Sequence, residues 1–217
     1  MLAERGRLIT LEGIDFSGKS LQAQLLYDRL VREWARGDSG KVLLFREPGG
    51  TRISERVRDI LLDAQLKEMH PVTEMLLYSA ARSQLIAEKI LPALQEGRVV
   101  LCDRFYDSTT AYQGYGRGIP LDVVKKAHEI ATHGLRPNLT LVIDVSPEEA
   151  ERRQENAGRR RDRMESEERE FYRRVREGYL ALAREEPGRV IIVPGERDPE
   201  EIAGEIWQAV QKILHRA

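Results

Sequence analysis

Residues 13–20 read GIDFSGKS, Gly13 to Ser20, and follow the apolar run Leu8-Ile9-Thr10-Leu11 directly. The spacing is G-x-x-x-x-G-K-S. Its glycines let the backbone aim successive N–H groups at phosphate oxygens, its lysine is a point charge for the outer phosphates, and its serine hydroxyl is a ligand for Mg2+. The context gives the string its weight. The apolar run before it predicts a strand, and Lys19 to about Arg36, with Leu21, Leu25, Leu26, Leu30 and Val31 toward one side, predicts a helix. Strand, glycine-rich turn and helix together place backbone donors and a helix N-terminus around an anion. Gly13, Ile14, Asp15, Phe16, Ser17, Gly18, Lys19 and Ser20 are therefore the expected nucleotide-binding residues. Phe16 is out of keeping, a bulky ring where small residues are usual.

The same alternation extends outward. Short apolar runs at Leu8–Glu12, Val42–Arg46, Val99–Asp103, Leu139–Val145 and Val190–Val193 alternate with helical stretches. That pattern predicts an α/β fold, a five-stranded parallel sheet flanked by helices. Helix starts are legible at Ser146-Pro147-Glu148-Glu149 and Asp198-Pro199-Glu200-Glu201, each with an N-cap, a proline in the first turn and acids near the positive dipole end. Pro120 and Gly134 bracket a helix over Leu121 to His133. No repeat or low-complexity linker interrupts the 217 residues, so a single domain over 1–217 is expected. The stretch RRQENAGRRRDRMESEEREFY, residues 152–172, breaks the pattern, and on charge alone it reads as a solvated helix pair.

Composition excludes several classes. Lys plus Arg (35) nearly cancels Asp plus Glu (36), so no global field favours nucleic acid. Cys102 has no second cysteine to pair with, and no apolar run approaches the ~18 residues of a membrane span. A soluble, cytoplasmic protein with no nucleic-acid or membrane partner is expected. A GTP-gated switch would read guanine through N-K-x-D, which occurs nowhere in the chain. GYGRG, Gly114 to Gly118, lacks the spacing of a dinucleotide fingerprint and reads as a loop.

Three further stretches act together with the first: REPGGT (Arg46–Thr51), DRFYDSTTAYQGYGRG (Asp103–Gly118) and DRME (Asp162–Glu165). With EGIDFSGKS they closely resemble the thymidylate kinase family, in order and spacing over essentially the whole chain. The resemblance implies a P-loop nucleoside monophosphate kinase fold, a homodimer, and ATP- and Mg2+-dependent phosphorylation of dTMP to dTDP. It also implies a small basic lid at about 152–165. Strand-end positions agree, because ligands of an open parallel sheet bind beyond the carboxyl ends of its strands.

Residue roles follow from the same resemblance. Lys19, Asp15 and Arg104 are the expected catalytic residues of the cleft, with Arg104 gripping the acceptor phosphate; a structural ion pair between Arg104 and Asp103 is the alternative. Ser20, Asp15 and Asp103 are the expected Mg2+ residues. Glu47 and Pro48 shape the acceptor side, although Glu47 reads equally well as structural. Tyr78 stands where the family usually stacks a Phe on thymine, and Arg82, four residues on, matches its base-contacting arginine. Tyr112 is placed to crowd a ribose 2′-OH, and Gln113 or Thr109 to meet the base edge. Arg159, Arg160, Arg161 and Arg163 fall in the lid. Some family members carry an arginine at the place of Phe16; others have Gly there and supply the cation from the lid. Phe16 cannot neutralise charge, so the chain resembles the lid-arginine type, with Leu21 in place of the usual Thr as a second departure.

Overall fold

The structure, a computed structural model, describes residues 6–158 and 162–214. β1 (Arg7–Glu12) turns into α1 (Lys19–Arg29); β2 (Val42–Arg46) precedes α2 (Arg52–Leu62) and α3 (Pro71–Leu85), and α3 continues through a π-helical turn (Ile86–Ile90) into α4 (Leu91–Gln95). β3 (Val99–Asp103) leads to α5 (Tyr106–Thr109), a π-helical segment (Thr110–Gly116) and α6 (Leu121–Thr132). β4 (Leu139–Asp144), α7 (Pro147–Ala157), α8 (Arg169–Glu185), β5 (Val190–Pro194) and α9 (Pro199–Leu214) complete the order. The strands lie in the order β2-β3-β1-β4-β5, every neighbouring pair parallel.

Strand periodicity decides the packing. Successive side chains of a strand point to opposite faces, so Ile9 and Leu11 of β1 join Leu26 and Leu30 of the α1 region and Ile206, Trp207 and Val210 of α9 on one face. Leu8, with Val100 and Cys102 of β3, meets Leu85, Ile86 and Ile90 on the other. Phe171, Val175 and Tyr179 of α8 cover Val142 on that same side. Both faces are buried, which is why the strands read as near-continuous apolar runs. The buried Thr10 and Thr140 hydroxyls satisfy each other at 2.8 Å.

The helix starts stand where the sequence places them. Ser146 accepts from the Glu149 N–H at 3.3 Å and Asp198 from the Glu200 N–H at 2.9 Å. β1 begins one residue early at Arg7, β4 stops one residue early at Asp144 and β5 runs one residue on to Pro194, and two helix ends differ. α1 ends at Arg29 and widens into a π-helical turn over Leu30–Trp34, and α6 closes on His133, whose φ of 53° caps it one residue before Gly134. The expected loop at Gly114–Gly118 is for the most part helical: the Arg117 N–H reaches back to the Tyr112 carbonyl at 2.9 Å, a five-residue span. Gly114 and Gly116 serve close packing, since a Cβ would stand 2.8 Å from Leu121 and 2.6 Å from the Phe171 ring respectively, while Gly118, φ 78°, turns the chain out of the helix. Among the described residues no helix is long and apolar enough to cross a membrane.

Candidate active site

Register brings three strand ends level. Leu11 of β1 and Arg46 of β2 both lie opposite Asp103 of β3, so the chain leaves the sheet side by side at Glu12-Gly13, Arg46-Glu47 and Asp103-Arg104. These exits open into one cleft of about 640 Å³. Asp15, Phe16, Gly18, Lys19 and Ser20 line it from the first exit; Arg46, Glu47 and Pro48 from the second; Asp103, Arg104, Ser108, Thr109, Tyr112 and Gln113 from the third. Tyr78 of α3 adds a ring to the wall.

The glycine-rich turn has the backbone its sequence demands. Gly13 (φ 138°) could carry no Cβ, which would lie 2.5 Å from the Ile143 carbonyl, and Gly18 (φ 93°) caps α1. Phe16 also has a left-handed backbone, φ 61°, at a cost on the order of 1 kcal/mol for a side-chain-bearing residue. Its ring faces a crevice walled by Pro147 and Ala150 of α7 and Tyr172 of α8. Burial there offsets the backbone cost and answers why a bulky residue is tolerated. From outside, Arg153 of α7 donates to the Ser17 carbonyl at 3.1 Å and the Gly195 carbonyl at 2.9 Å, tying the turn to the helix above it. The sequence does not single out Arg153 among its neighbours.

Inside the turn, Lys19 Nζ lies 3.8 Å from Asp15 Oδ1 and 3.4 Å from the Ile14 carbonyl. Burial, with the nearby Arg104 charge, lowers its pKa against the pull of Asp15 and Asp103. Ser20 donates to Asp103 Oδ2 at 2.5 Å, while Asp103 Oδ1 is buried with no hydrogen-bond partner among the described residues. A hydroxyl beside a carboxylate with a spare oxygen is a hard-donor pair of the kind Mg2+ takes when most of its ligands are phosphate and water.

Arg104 sits at the centre. Its guanidinium donates to Asp15 Oδ1 at 2.6 Å, the Tyr112 hydroxyl at 3.0 Å, the Gly13 carbonyl at 2.9 Å and Ser108 Oγ at 3.0 Å, and lies 4.8 Å over the Tyr112 ring. Its ion pair is with Asp15, 89 positions away, and not with its neighbour Asp103. Burial alone would raise the Asp15 carboxyl, but the Arg104 and Lys19 charges outweigh it and hold the pKa at about 2. Tyr172 and Tyr179 of α8 reach the same network: Tyr172 donates to Asp15 Oδ2 at 3.2 Å, and the Tyr179 hydroxyl accepts from Arg104 at 3.2 Å.

Beneath them lies Glu12, fully buried, accepting from the Phe105 N–H at 2.7 Å, Ser108 Oγ at 2.5 Å and the Tyr179 hydroxyl at 3.0 Å. Burial, with the nearby Asp107 charge, pushes its pKa up to about 7, against the Ser108 hydrogen bond and Arg104. Its folded pKa therefore exceeds its unfolded one. The native state is the better proton binder between about 4.5 and about 7, and the associated stability is lost as pH rises through that window. Glu12→Gln is expected to flatten the fall in urea-unfolding free energy between about pH 5 and about pH 8. An unchanged slope would remove Glu12 as its source.

On the acceptor side, Arg82 is buried behind the wall. It donates to Glu47 Oε2 at 2.7 Å, Thr109 Oγ1 at 3.1 Å and the Phe105 carbonyl at 3.2 Å, and its Nη1 is buried without a partner among the described residues. The Glu47 carboxyl is thus a structural partner as well as part of the wall. Gln113 donates to Glu74 at 2.8 Å. The sequence reading missed Arg58 of α2, a half-buried cation in the cleft that donates to the Pro48 carbonyl at 2.9 Å; the only local signal is its place in the helix that follows REPGGT. Arg163 is turned away from the cleft, donating to Glu74 Oε2 at 2.5 Å and the Leu61 carbonyl at 2.9 Å. Its neighbours Asp162, Met164 and Glu165 line the cleft instead. Arg159, Arg160 and Arg161 lie outside the described residues.

Comparison with known proteins meets this geometry at the level of family. The family described as thymidylate kinase matches residues 11–206. The chain belongs to the thymidylate kinase family. A thymidylate kinase of Caldanaerobacter subterraneus subsp. tengcongensis is 47% identical over 213 residues, spanning 98% of this chain and 99% of the relative. One of Pelobacter propionicus is 50% identical over 216 residues, 97% and 96% of the two chains. The crystal structure of thymidylate kinase from Ehrlichia chaffeensis superposes with a TM-score of 0.77 at 32% identity, over 95% of this chain and 99% of that one. Thymidylate kinases phosphorylate dTMP to dTDP with ATP as donor, and family membership brings that reaction to this chain.

Proposed function

We propose that the cleft holds both phosphate chains of this reaction, ATP on the glycine-rich turn and dTMP between Arg104, Tyr78 and Gln113. The observation that carries the reading is the convergence of Lys19, Asp15 and Arg104 at adjoining strand ends. A 5′-phosphate oxygen of dTMP attacks the γ-phosphorus of ATP in line as the bond to the β,γ-bridging oxygen breaks, leaving ADP. Lys19 faces the donor phosphates. Arg104 and Arg58 grip the acceptor phosphate, held in place by Asp15 and the Pro48 carbonyl. Arg82 Nη1, buried without a partner, is a donor in reserve for the base. Ser20, Asp103 and Asp15 are the residues that would hold Mg2+, which when bound offsets phosphate charge.

Residues 152–165 act as the lid, formed at its start by the last turns of α7, and the chain is one kinase domain working in the cytoplasm. The charge that Phe16 cannot supply comes from Arg159, Arg160 and Arg161, so the protein is of the lid-arginine type. Homodimer formation is proposed through α2, α3 and α6, which expose Ile53, Ile60, Leu76 (56% exposed) and Ile130 (79%). Sedimentation equilibrium reads the mass directly.

The test is ADP release from ATP and Mg2+ with dTMP, dUMP, dCMP, UMP or thymidine as acceptor. Fastest turnover with thymidine would replace the reading by a nucleoside kinase, and none with any acceptor would replace it by an ATP-binding module. In the same assay, changing Arg159, Arg160 and Arg161 together to Ala is expected to lower kcat by about two powers of ten. Phe16→Gly should keep activity, because a benzyl side chain supplies no cation to the phosphates and glycine relieves the φ of 61°. A crippled Phe16→Gly beside an unaffected triple variant would move the function from lid to loop.

A further inference from the structure

Glu74 on α3 is buried and does not line the cleft. Its Oε1 accepts from Gln113 Nε2 at 2.8 Å and Arg117 Nε at 3.2 Å; its Oε2 accepts from Arg117 Nη2 at 3.0 Å and Arg163 Nη1 at 2.5 Å. Burial pushes the carboxyl up, but the Arg117 hydrogen bonds and charge, with Gln113 and Arg163, outweigh it and hold the pKa below the ordinary value. Glu74 is therefore ionised at neutral pH, and an ionised carboxylate only accepts hydrogen bonds. Gln113, 2% exposed, has to turn its NH2 toward Glu74. That leaves its carbonyl oxygen for the cleft it lines, and no hydrogen bond to that oxygen occurs among the described residues.

The direction of an amide is a chemical choice between two bases. Thymine and uracil carry an N3–H donor, whereas cytosine carries a bare N3 acceptor. A carbonyl aimed at the base accepts from the first and opposes the second; an amide free to rotate would serve both. We infer that Glu74 is a positioning residue that sets the pyrimidine preference of the cleft by locking the Gln113 amide with its oxygen toward the base. The inference rests on the reading of the cleft as a dTMP site. Arg117, also paired with Glu167 at 2.6 Å, and Arg163 balance the buried charge, so the base of the lid and the base reader share one carboxylate.

The experiment compares kcat/KM for dTMP and dCMP in the full-length protein and three variants, each checked for folding by urea melts. Glu74→Gln, whose amide can offer either an oxygen or an NH2 to Gln113, is expected to lower the dTMP-to-dCMP ratio about tenfold or more with the KM for ATP unchanged. A merely structural role would depress both substrates together, and an unchanged ratio overturns the inference. Gln113→Ala separates the two levels. If it too leaves the ratio unchanged, Gln113 does not read the base and the cleft reading fails at that residue; if it lowers the ratio while Glu74→Gln does not, only the role of Glu74 fails. Glu74→Gln combined with Gln113→Glu keeps one carboxylate beside Arg117 and Arg163 and presents acceptor oxygens to the base. Its dTMP preference is expected to return toward the parent, and it decides the matter even where Glu74→Gln alone does not fold. Loss of preference in this double variant overturns the inference.

Discussion

Lys19→Ala is expected to reduce kcat by about three powers of ten, on the scale of losing a transition-state cation in phosphoryl transfer. Lys19 Nζ sits 3.8 Å from Asp15 and 3.4 Å from a loop carbonyl, so the loop holds it by weak contacts and leaves it available for the donor-phosphate role proposed for it. Its removal takes nothing from the apolar clusters that hold the sheet. The unfolding free energy should therefore stay within about 1 kcal/mol of the parent, a small change for a site outside the core. Single-turnover kinetics at saturating ATP separates lost binding from lost chemistry. A folded variant with near-normal turnover would dismiss Lys19 as the donor-phosphate cation.

Arg104→Ala comes second, with kcat/KM for dTMP expected to fall by about three powers of ten, because the fork proposed to clamp the acceptor phosphate is also the ion-pair partner of the half-buried Asp15. The Asp15 carboxyl, now held at about 2, loses the largest of the charges that oppose its burial and should titrate higher. The loss is therefore expected to fall chiefly on dTMP, through KM, kcat or both. Damage confined to ATP binding would mean that the donor and acceptor sites are interchanged. Arg104→Lys should recover only part of the activity, since an ammonium cannot contact Asp15, Tyr112 and the Gly13 carbonyl as a planar guanidinium does.

Much of this was legible in one dimension. β2 and β3 run over the residues their apolar runs mark, and the glycine-rich turn lies between β1 and α1 as its spacing requires. Those features depend on local chemistry, on side chains alternating across a strand and glycines in turns closed to a Cβ, and local chemistry is written in adjacent residues. Gly116 of GYGRG misled because the same absence of a Cβ serves a loop or a close helix contact, and only the Phe171 ring 2.6 Å from the missing atom decides between them; Gly118, φ 78°, does turn the chain.

The sheet, the glycine-rich turn and, through four short motifs taken together, the family were all readable along the chain. What the tertiary structure decided was partnership. Arg104 had Asp103 beside it and took Asp15 instead; Arg163 stood beside Arg159 to Arg161 in the sequence and turned to Glu74; Arg153 reached the turn, and Arg58 the cleft, from helices whose spacing does not set them apart from neighbouring arginines. The reason is physical. A charged side chain several bonds long selects its partner by which groups the register and the packing of helices bring within about 3 Å, under the penalty for burying any charge left unpaired. That selection joins residues 89 positions apart in the case of Arg104 and Asp15, and no spacing along the chain encodes it.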